Sequence, residues 1–179
     1  MDIPLLAGPF VFLRHGETEH NRLRLIAGSL DVPLNATGIA QAQAAADSLR
    51  GSAIDAIWAS PLQRAQDTAR CVAGVLGLDI TLVADLAERN WGALEGQARG
   101  QRILGETPAG AESPEEFRDR VLRGFGQIKP SRLPLIVAHS GIYRVLGDWL
   151  GLPAQDAPVA NSLPLRLHRV HGRWISEAL

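Results

Sequence analysis

The sequence predicts an α/β fold: a three-layer α/β/α sandwich around a mostly parallel central sheet. Three observations carry that expectation. Short apolar runs alternate with longer stretches whose apolar residues recur every three or four positions. The runs are almost continuously apolar, as strands covered on both faces require. Helix-start signals mark the boundaries, with Ser60-Pro61 and Ser113-Pro114-Glu115-Glu116 each placing a capping hydroxyl before a proline at the first helical position.

The elements follow in order. Strands are expected at Pro9–Leu13, Ala56–Ala59, Ile80–Ala84 and Pro134–Ala138. Val159–Val170 and Trp174–Ser176 read as a terminal hairpin turning at His171-Gly172. The first helix, Thr37–Arg50, carries Ile39, Ala42, Ala46 and Leu49 on one face. The second, Pro61–Leu76, carries Leu62, Ala65, Ala69, Val72 and Leu76. The third, Pro114–Ile128, carries Phe117, Val121, Phe125 and Ile128, and the fourth, Ile142–Leu150, carries Ile142, Val145, Leu146 and Trp149. Leu94–Gly110, rich in Gly, Gln and Arg, reads as a loop or short helices over the sheet edge.

Composition bounds the function. A chain of 179 residues suits one domain spanning residues 1–179. It is 46% hydrophobic and 21% charged with a net charge of −1, which argues against a nucleic-acid or membrane surface. Lys129 is the only lysine, so an anion site must be built from arginine. Cys71 is alone, which excludes an internal disulfide, and it falls on a helical apolar stripe as a buried structural thiol would. No apolar run approaches the ~20 residues that span a bilayer. Met1–Leu13 lacks a basic leader and is broken by Pro4, Gly8 and Pro9, so a cytoplasmic location is expected.

The chemistry begins where strands end. Phe10–Leu13 runs out into Arg14-His15-Gly16. Arginine offers an oxyanion a planar fork of donors, and neutral histidine can attack phosphorus. Glycine would let the backbone approach a ligand closely. After Ala56–Ala59 comes Arg64, in the first turn of a helix. After Ile80–Ala84 come Glu88 and Arg89, and after Leu135–Ala138 comes His139-Ser140-Gly141. Parallel strands share one carboxyl edge, so these groups can converge in one crevice, with helix-start amides after Ser60 and Ser140 as further donors.

Taken together, Arg14-His15-Gly16-Glu17 with Asn21, Ser60-Pro61-Leu62-Gln63-Arg64-Ala65, Glu88, Glu95-Gly96, Gly110-Ala111-Glu112-Ser113 and Ala138-His139-Ser140-Gly141 resemble, in order, the motifs of the histidine phosphatase superfamily, in its phosphoglycerate mutase-like branch. The resemblance runs from Val11 to Trp174. It implies that His15 is the nucleophile, held by the Gly16 carbonyl, and that Arg14, Arg64 and His139 bind the transferring phosphoryl group. It further implies Glu88 as proton donor to the leaving oxygen, with Asn21 and the Ser140 or Gly141 amides lining the pocket. No metal and no cofactor are implied, since two arginines and a second histidine meet the charge. The nearby arginines should keep His15 neutral by lowering its pKa.

Several residues carry two readings. Glu88 is preferred as the acid to Glu95, which the resemblance puts in a turn, and to Glu17, which is better placed to orient the site. Arg89 could bind a second acidic group of the substrate or pair with a surface carboxylate. Trp91 is read as a pocket wall. Arg99 is a candidate substrate contact, although it and Arg102 also suit solvated loop charges. His20 falls near the pocket mouth, and His168 and His171 fall on the hairpin surface. Ser140 stands where many members have glycine; aspartate there would have pointed to the acid-phosphatase branch. The stretch between Gly96 and Glu112 is shorter than the mutase lid. The expected activity is therefore metal-independent hydrolysis of a small-molecule phosphate ester, with mutase-type phosphoryl transfer as the alternative.

Overall fold

A computed structural model describes residues 3–103, 106–153 and 158–179. Among these lie strands β1 (Phe10–Arg14), β2 (Ala56–Ala59), β3 (Ile80–Leu82), β4 (Pro134–Ala138), β5 (Pro164–Val170) and β6 (Arg173–Ala178). The helices are α1 (Glu19–Arg22), α2 (Ala36–Ser48), α3 (Gln63–Leu76), α4 (Pro114–Gln127) and α5 (Ser140–Leu150). The sheet order is β3-β2-β4-β1-β5-β6. Strands β3, β2, β4 and β1 pair in parallel, and β5 and β6 add an antiparallel edge.

Side chains of a strand alternate between faces, and here both faces are covered. Phe10 and Phe12 of β1, with Ile136 of β4, enter a core completed by Phe117, Val121 and Phe125 of α4 and Ile142 and Leu146 of α5. Val11 and Leu13, with Leu135 and Val137, enter a second core with Ala45 and Ala46 of α2 and Ala65, Ala69 and Val72 of α3. Each fully buried Phe, Leu or Val contributes about 1.5–3 kcal/mol. The continuous apolar runs are therefore the signature of a sheet between two helical layers.

The architecture places the site. Strands β1 and β4 are parallel neighbours, yet the helix after β1 lies in one layer and the helix after β4 in the other. The chain thus leaves their carboxyl ends in opposite directions and opens a crevice between them. Ladder hydrogen bonds continue beyond the strands, from His15 N–H to Ala138 O (3.0 Å) and from Ser60 N–H to Val137 O (3.0 Å). Arg14-His15, Ser60 and His139 are held at one edge as a result.

Some expected boundaries move. Strand β3 stops at Leu82, and Ala84–Leu86 is a 3-10 turn. The hairpin strand expected from Val159 starts at Pro164. Helix α3 starts at Gln63 with Leu62 as its boundary, and the Ser60 hydroxyl both accepts the Leu62 N–H (3.3 Å) and meets His139 Nε2 (2.7 Å). Ile39 is 47% exposed, since α2 turns Ala42, Ala45 and Ala46 inward instead. Helix α1 has only four residues, too few for a periodic signal; a capping box between Thr18 and Asn21 sets it. The stretch expected over the sheet edge docks instead on the 24–28 loop, through Gly96 N–H to Ile26 O (2.8 Å), Ile26 N–H to Gln97 O (2.9 Å) and Arg99 N–H to Arg24 O (3.0 Å). Among the described residues no helix is long and apolar enough to cross a membrane.

Candidate active site

His15 lies at the bottom of the crevice, buried, with Nδ1 donating to Gly16 O at 2.7 Å. That bond fixes the tautomer and leaves Nε2 without a proton. Burial, then the Arg64 and Arg14 guanidiniums, hold its pKa well below 6.5. Gly16 serves a different approach from the one expected. A Cβ there would stand 2.3 Å from Gly38 O, and one at Gly38 would stand 2.0 Å from Glu17 O. The glycines let the β1 exit press against the first turn of α2, backbone to backbone. Glu17 belongs to that junction too, accepting from Asn35 Nδ2 at 2.8 Å.

Two contacts that the sequence did not reveal secure this loop. Thr68 Oγ1 of α3 accepts the Gly16 N–H (3.0 Å) and donates to Arg64 O (2.8 Å). The segment before β5 grips the other side: Arg14 Nη1 donates to Val159 O (2.7 Å), Ser162 N–H to Arg14 O (2.9 Å), and Asn161 Nδ2 to His15 O (2.7 Å). None of these residues has a local sequence signal, because each acts across more than fifty positions.

Arg64 is buried, with Nη1 on Leu30 O (2.7 Å) and Nη2 on Gly28 O (2.8 Å). Arg14 and Arg64 both line the cavity, and the Nε of each is buried without a partner. Burial, with Arg99 next in importance, lowers the Arg14 pKa to about 10, so it remains a cation at neutral pH. An unpaired buried donor costs about 1–3 kcal/mol, more when charged. Such groups beside a neutral imidazole define an anion site.

His139 stands next to His15, ring centroids 5.1 Å apart, and is fully buried. Its Nε2 is 2.7 Å from Ser60 Oγ. Ser60 Oγ also accepts the Leu62 N–H (3.3 Å). His139 Nδ1 is buried without a partner. Burial, then Arg64, lowers its pKa well below 6.5. His139 is not itself on the cavity lining; Ser140 and Asn21 are. Asn21 Oδ1 is taken by Thr18 N–H (3.1 Å) in the α1 capping box.

Glu88 lies opposite His15's strand end, at the start of α5. Its Oε2 accepts the Gly141 N–H (2.9 Å) and its Oε1 the Arg89 N–H (2.8 Å). The Gly141 amide expected to meet the ligand is therefore occupied by the carboxylate. Glu95 is not on the cavity lining. Its Oε1 accepts from Ser29 N–H (2.7 Å), Ser29 Oγ (2.9 Å) and Trp91 N–H (3.1 Å), tying two loops together. Arg120 of α4 holds the Glu88 loop through Asp85 O (2.8 Å) and Ala87 O (3.0 Å) while paired with Glu112.

The cavity has a volume of about 760 Å³. Trp91 forms a wall, with the guanidinium carbons of Arg89 and Arg102 at 4.2 Å and 4.1 Å from its ring centroid. Arg89 Nε donates to Glu112 O (2.9 Å), and its Nη2 is buried and unpaired. Arg99 is half-buried on the lining, its Nε on Leu25 O (3.3 Å). Arg102, read equally as a solvated charge, is on the lining as well, together with Arg144, which sequence reasoning missed. His20, His168 and His171 are off the lining; His168 Nδ1 is 3.6 Å from Glu177, and His171 takes the hairpin turn with φ 49°. Cys71 is only half-buried on α3, where burial raises its thiol pKa.

Comparison with known proteins agrees with this geometry. The family model for the histidine phosphatase superfamily (branch 1) matches residues 10–174. An uncharacterised phosphatase, PhoE of Bacillus subtilis, is 35% identical over 140 residues, covering 75% of this chain and 72% of the relative. Phosphoglycerate mutase-like protein 4 of Arabidopsis thaliana is 33% identical over 156 residues, 76% of this chain and 68% of the relative. Among solved structures, a mycobacterial glucosyl-3-phosphoglycerate phosphatase in complex with VO3 superposes with a TM-score of 0.77 at 27% identity, covering 96% of this chain and 98% of that one. The α-ribazole phosphatase of Shigella flexneri superposes with a TM-score of 0.80 at 25% identity, covering 96% and 95%. With its strand-end histidines and arginines in one crevice and a family match across nearly the whole chain, this protein belongs to the histidine phosphatase superfamily, branch 1.

Proposed function

We propose that the protein is a phosphomonoesterase that hydrolyses small phosphate esters through a phosphohistidine. The observation that carries this is the His15 Nδ1–Gly16 O bond, which leaves Nε2 as an unprotonated nucleophile among Arg14, Arg64 and His139. Nε2 attacks phosphorus, the Nε2–P bond forms, and the bond to the leaving oxygen breaks. Glu88 delivers a proton to that oxygen as it departs. Water then attacks phosphorus in line, Glu88 takes its proton, and the Nε2–P bond breaks to release phosphate. The Arg14 and Arg64 guanidiniums meet the charge on the equatorial oxygens throughout, with the neutral His139 ring beside His15 as a further hydrogen-bonding group. This chemistry asks for no metal ion and no cofactor.

A mutase-type transfer is the second reading, favoured by the four arginines, Arg89, Arg99, Arg102 and Arg144, on the lining. Retaining a bisphosphorylated intermediate requires water to be excluded. Arg144, Asp148 and Trp149 on the outer wall are exposed, which favours hydrolysis. Incubation with 3-phosphoglycerate and 2,3-bisphosphoglycerate should release phosphate faster than 2-phosphoglycerate appears; isomerisation in large excess would overturn the assignment.

Radiolabelled substrate quenched in the steady state should leave an acid-labile, base-stable label on the wild type and none on His15→Ala. Activity should persist in EDTA. Glu88→Gln should cost about 10²–10⁴-fold on alkyl phosphates and far less on p-nitrophenyl phosphate, whose leaving group needs little protonation. Strict dependence on a divalent ion, or an unlabelled wild type, would refute this mechanism.

A further inference from the structure

Helix α5 extends the cavity well past the reacting centre. Ser140, Gly141, Arg144, Val145, Asp148 and Trp149 all line it. Their spacing of one and four residues puts them on a single helical face. That face starts at Gly141, whose amide is bonded to Glu88, and so it measures distance from the leaving oxygen. At 1.5 Å per residue, Arg144 lies about 6 Å along the axis from Ser140, and Trp149 about 13 Å. Opposite runs α4, with Phe117 and Leu122 supplying apolar surface, Glu115 a carboxylate, and Arg118 paired with Asp119 (2.8 Å).

The two ends of this trough differ in chemistry. Near phosphorus, Arg144 joins Arg89, Arg99 and Arg102. Burial lowers the Arg102 pKa first, followed by the like charges of Arg99, Arg144 and Arg89 that share the lining with it, while Glu88 opposes them. Glu88 and Glu115 are the lining carboxylates that offset the cluster, so four guanidiniums keep an excess of positive charge beyond a phosphomonoester dianion held by Arg14 and Arg64, which calls for a second anionic group. At the far end Trp149 is 45% exposed although it is a large aromatic side chain on the lining. Asp148 beside it makes no ion pair among the described residues. A flat ring bearing N–H donors satisfies both, stacking on the indole and donating to the carboxylate.

Resting on the phosphatase reading above, we propose that α5 selects a nucleoside diphosphate: terminal phosphoryl at His15, inner phosphate at the Arg102–Arg144 cluster, and base on Trp149 with its amino or imino group toward Asp148. A glycerol- or sugar-sized leaving group would end beside Arg144 and leave Asp148 and Trp149 in water.

The test compares ADP, AMP, glycerol 2-phosphate and p-nitrophenyl phosphate on the wild type and on Trp149→Ala and Arg144→Gln. ADP should have a kcat/KM well above glycerol 2-phosphate, of which about tenfold comes from the stacked base and the rest from its anhydride leaving group. Trp149→Ala should remove that tenfold share through KM and leave glycerol 2-phosphate unchanged. Arg144→Gln should weaken ADP more than AMP. Equal use of ADP and glycerol 2-phosphate, or equal losses on all four esters in Trp149→Ala, would overturn the proposal while leaving the phosphatase intact. Calorimetry of ADP binding provides the same comparison without turnover. If p-nitrophenyl phosphate is not hydrolysed, the phosphatase reading fails. ADP binding weakened about tenfold by Trp149→Ala would still support the subsite, and unchanged binding would refute it.

Discussion

At the scale of single residues the site is built by close backbone approach as much as by charge. Gly141 is the clearest case. A Cβ at this position would lie 2.2 Å from Glu88 Oε1, so any side chain pushes the carboxylate off the start of α5. Gly141→Ala keeps the helix, where alanine is favoured, but displaces the acid. The expected outcome is a loss of about 10²-fold on alkyl phosphates with a much smaller loss on p-nitrophenyl phosphate and an unchanged melting temperature. Parallel losses on both substrates would mean that the variant disturbs something other than proton transfer. The same logic explains Gly16 and Gly38, where the nearest obstacle is backbone and cannot rotate away.

At the scale of elements, α4 links stability to the acid. Its N-terminus is closed by a capping box in which Ser113 Oγ accepts the Glu116 N–H (3.1 Å) and Glu116 Oε2 accepts the Ser113 N–H (2.8 Å). Two turns later Arg120 reaches the carbonyls of Asp85 and Ala87. Ser113→Ala should cost about 1 kcal/mol and lower the melting temperature by about 2–4 °C, measurable by calorimetry, with little change in kcat. Arg120→Met should be worse and different in kind. It strands Glu112 and frees the Glu88 loop, so kcat on alkyl phosphates should fall more than on p-nitrophenyl phosphate. An Arg120→Met enzyme with full activity on both would remove α4 from the positioning of Glu88.

At the scale of the whole molecule, two buried histidines couple folding to pH. His15 and His139 both have folded pKa values well below 6.5, with burial as the first cause. Below 6.5 the unfolded chain binds protons that the folded chain does not, so stability falls as pH falls. The loss begins near 6.5 and continues down to the depressed values; above 6.5 these groups leave stability flat. Urea unfolding from pH 8 to pH 5 should show that decline, and His15→Ala should flatten it in part. A wild-type stability unchanged between pH 6.5 and 5 would contradict the burial of both rings. The requirement is structural: a neutral nucleophile beside two cations has to be enclosed, and the sandwich encloses it where the chain leaves β1 and β4 toward opposite helical layers.

What the sequence determined by itself was set by local physics. Continuous apolar runs marked the strands, covered on both faces in β1 and β4, and three- and four-residue spacing marked four helices. The strand ends then delivered Arg14, His15 and His139 to one edge, and Arg64 to the first helical turn beside it. These follow from chain direction and side-chain period, whereas Glu88, six residues beyond β3, reaches the same edge only through the Gly141 and Arg120 contacts. The misplaced details have the opposite character. Ser60 was expected as a helix cap and does accept the Leu62 N–H, but it is also the partner of His139, because a hydroxyl serves every donor or acceptor that folding brings within reach. The grip of Val159, Asn161 and Ser162 on the β1 exit, the Thr68 bridge and the Arg120 anchor join positions far apart in the chain. So does the trough along α5, where Trp149 had been assigned to the core because its spacing fitted the apolar stripe. Periodicity places a residue on a face of its helix, but only the packed neighbours decide whether that face meets protein or opens onto a cavity.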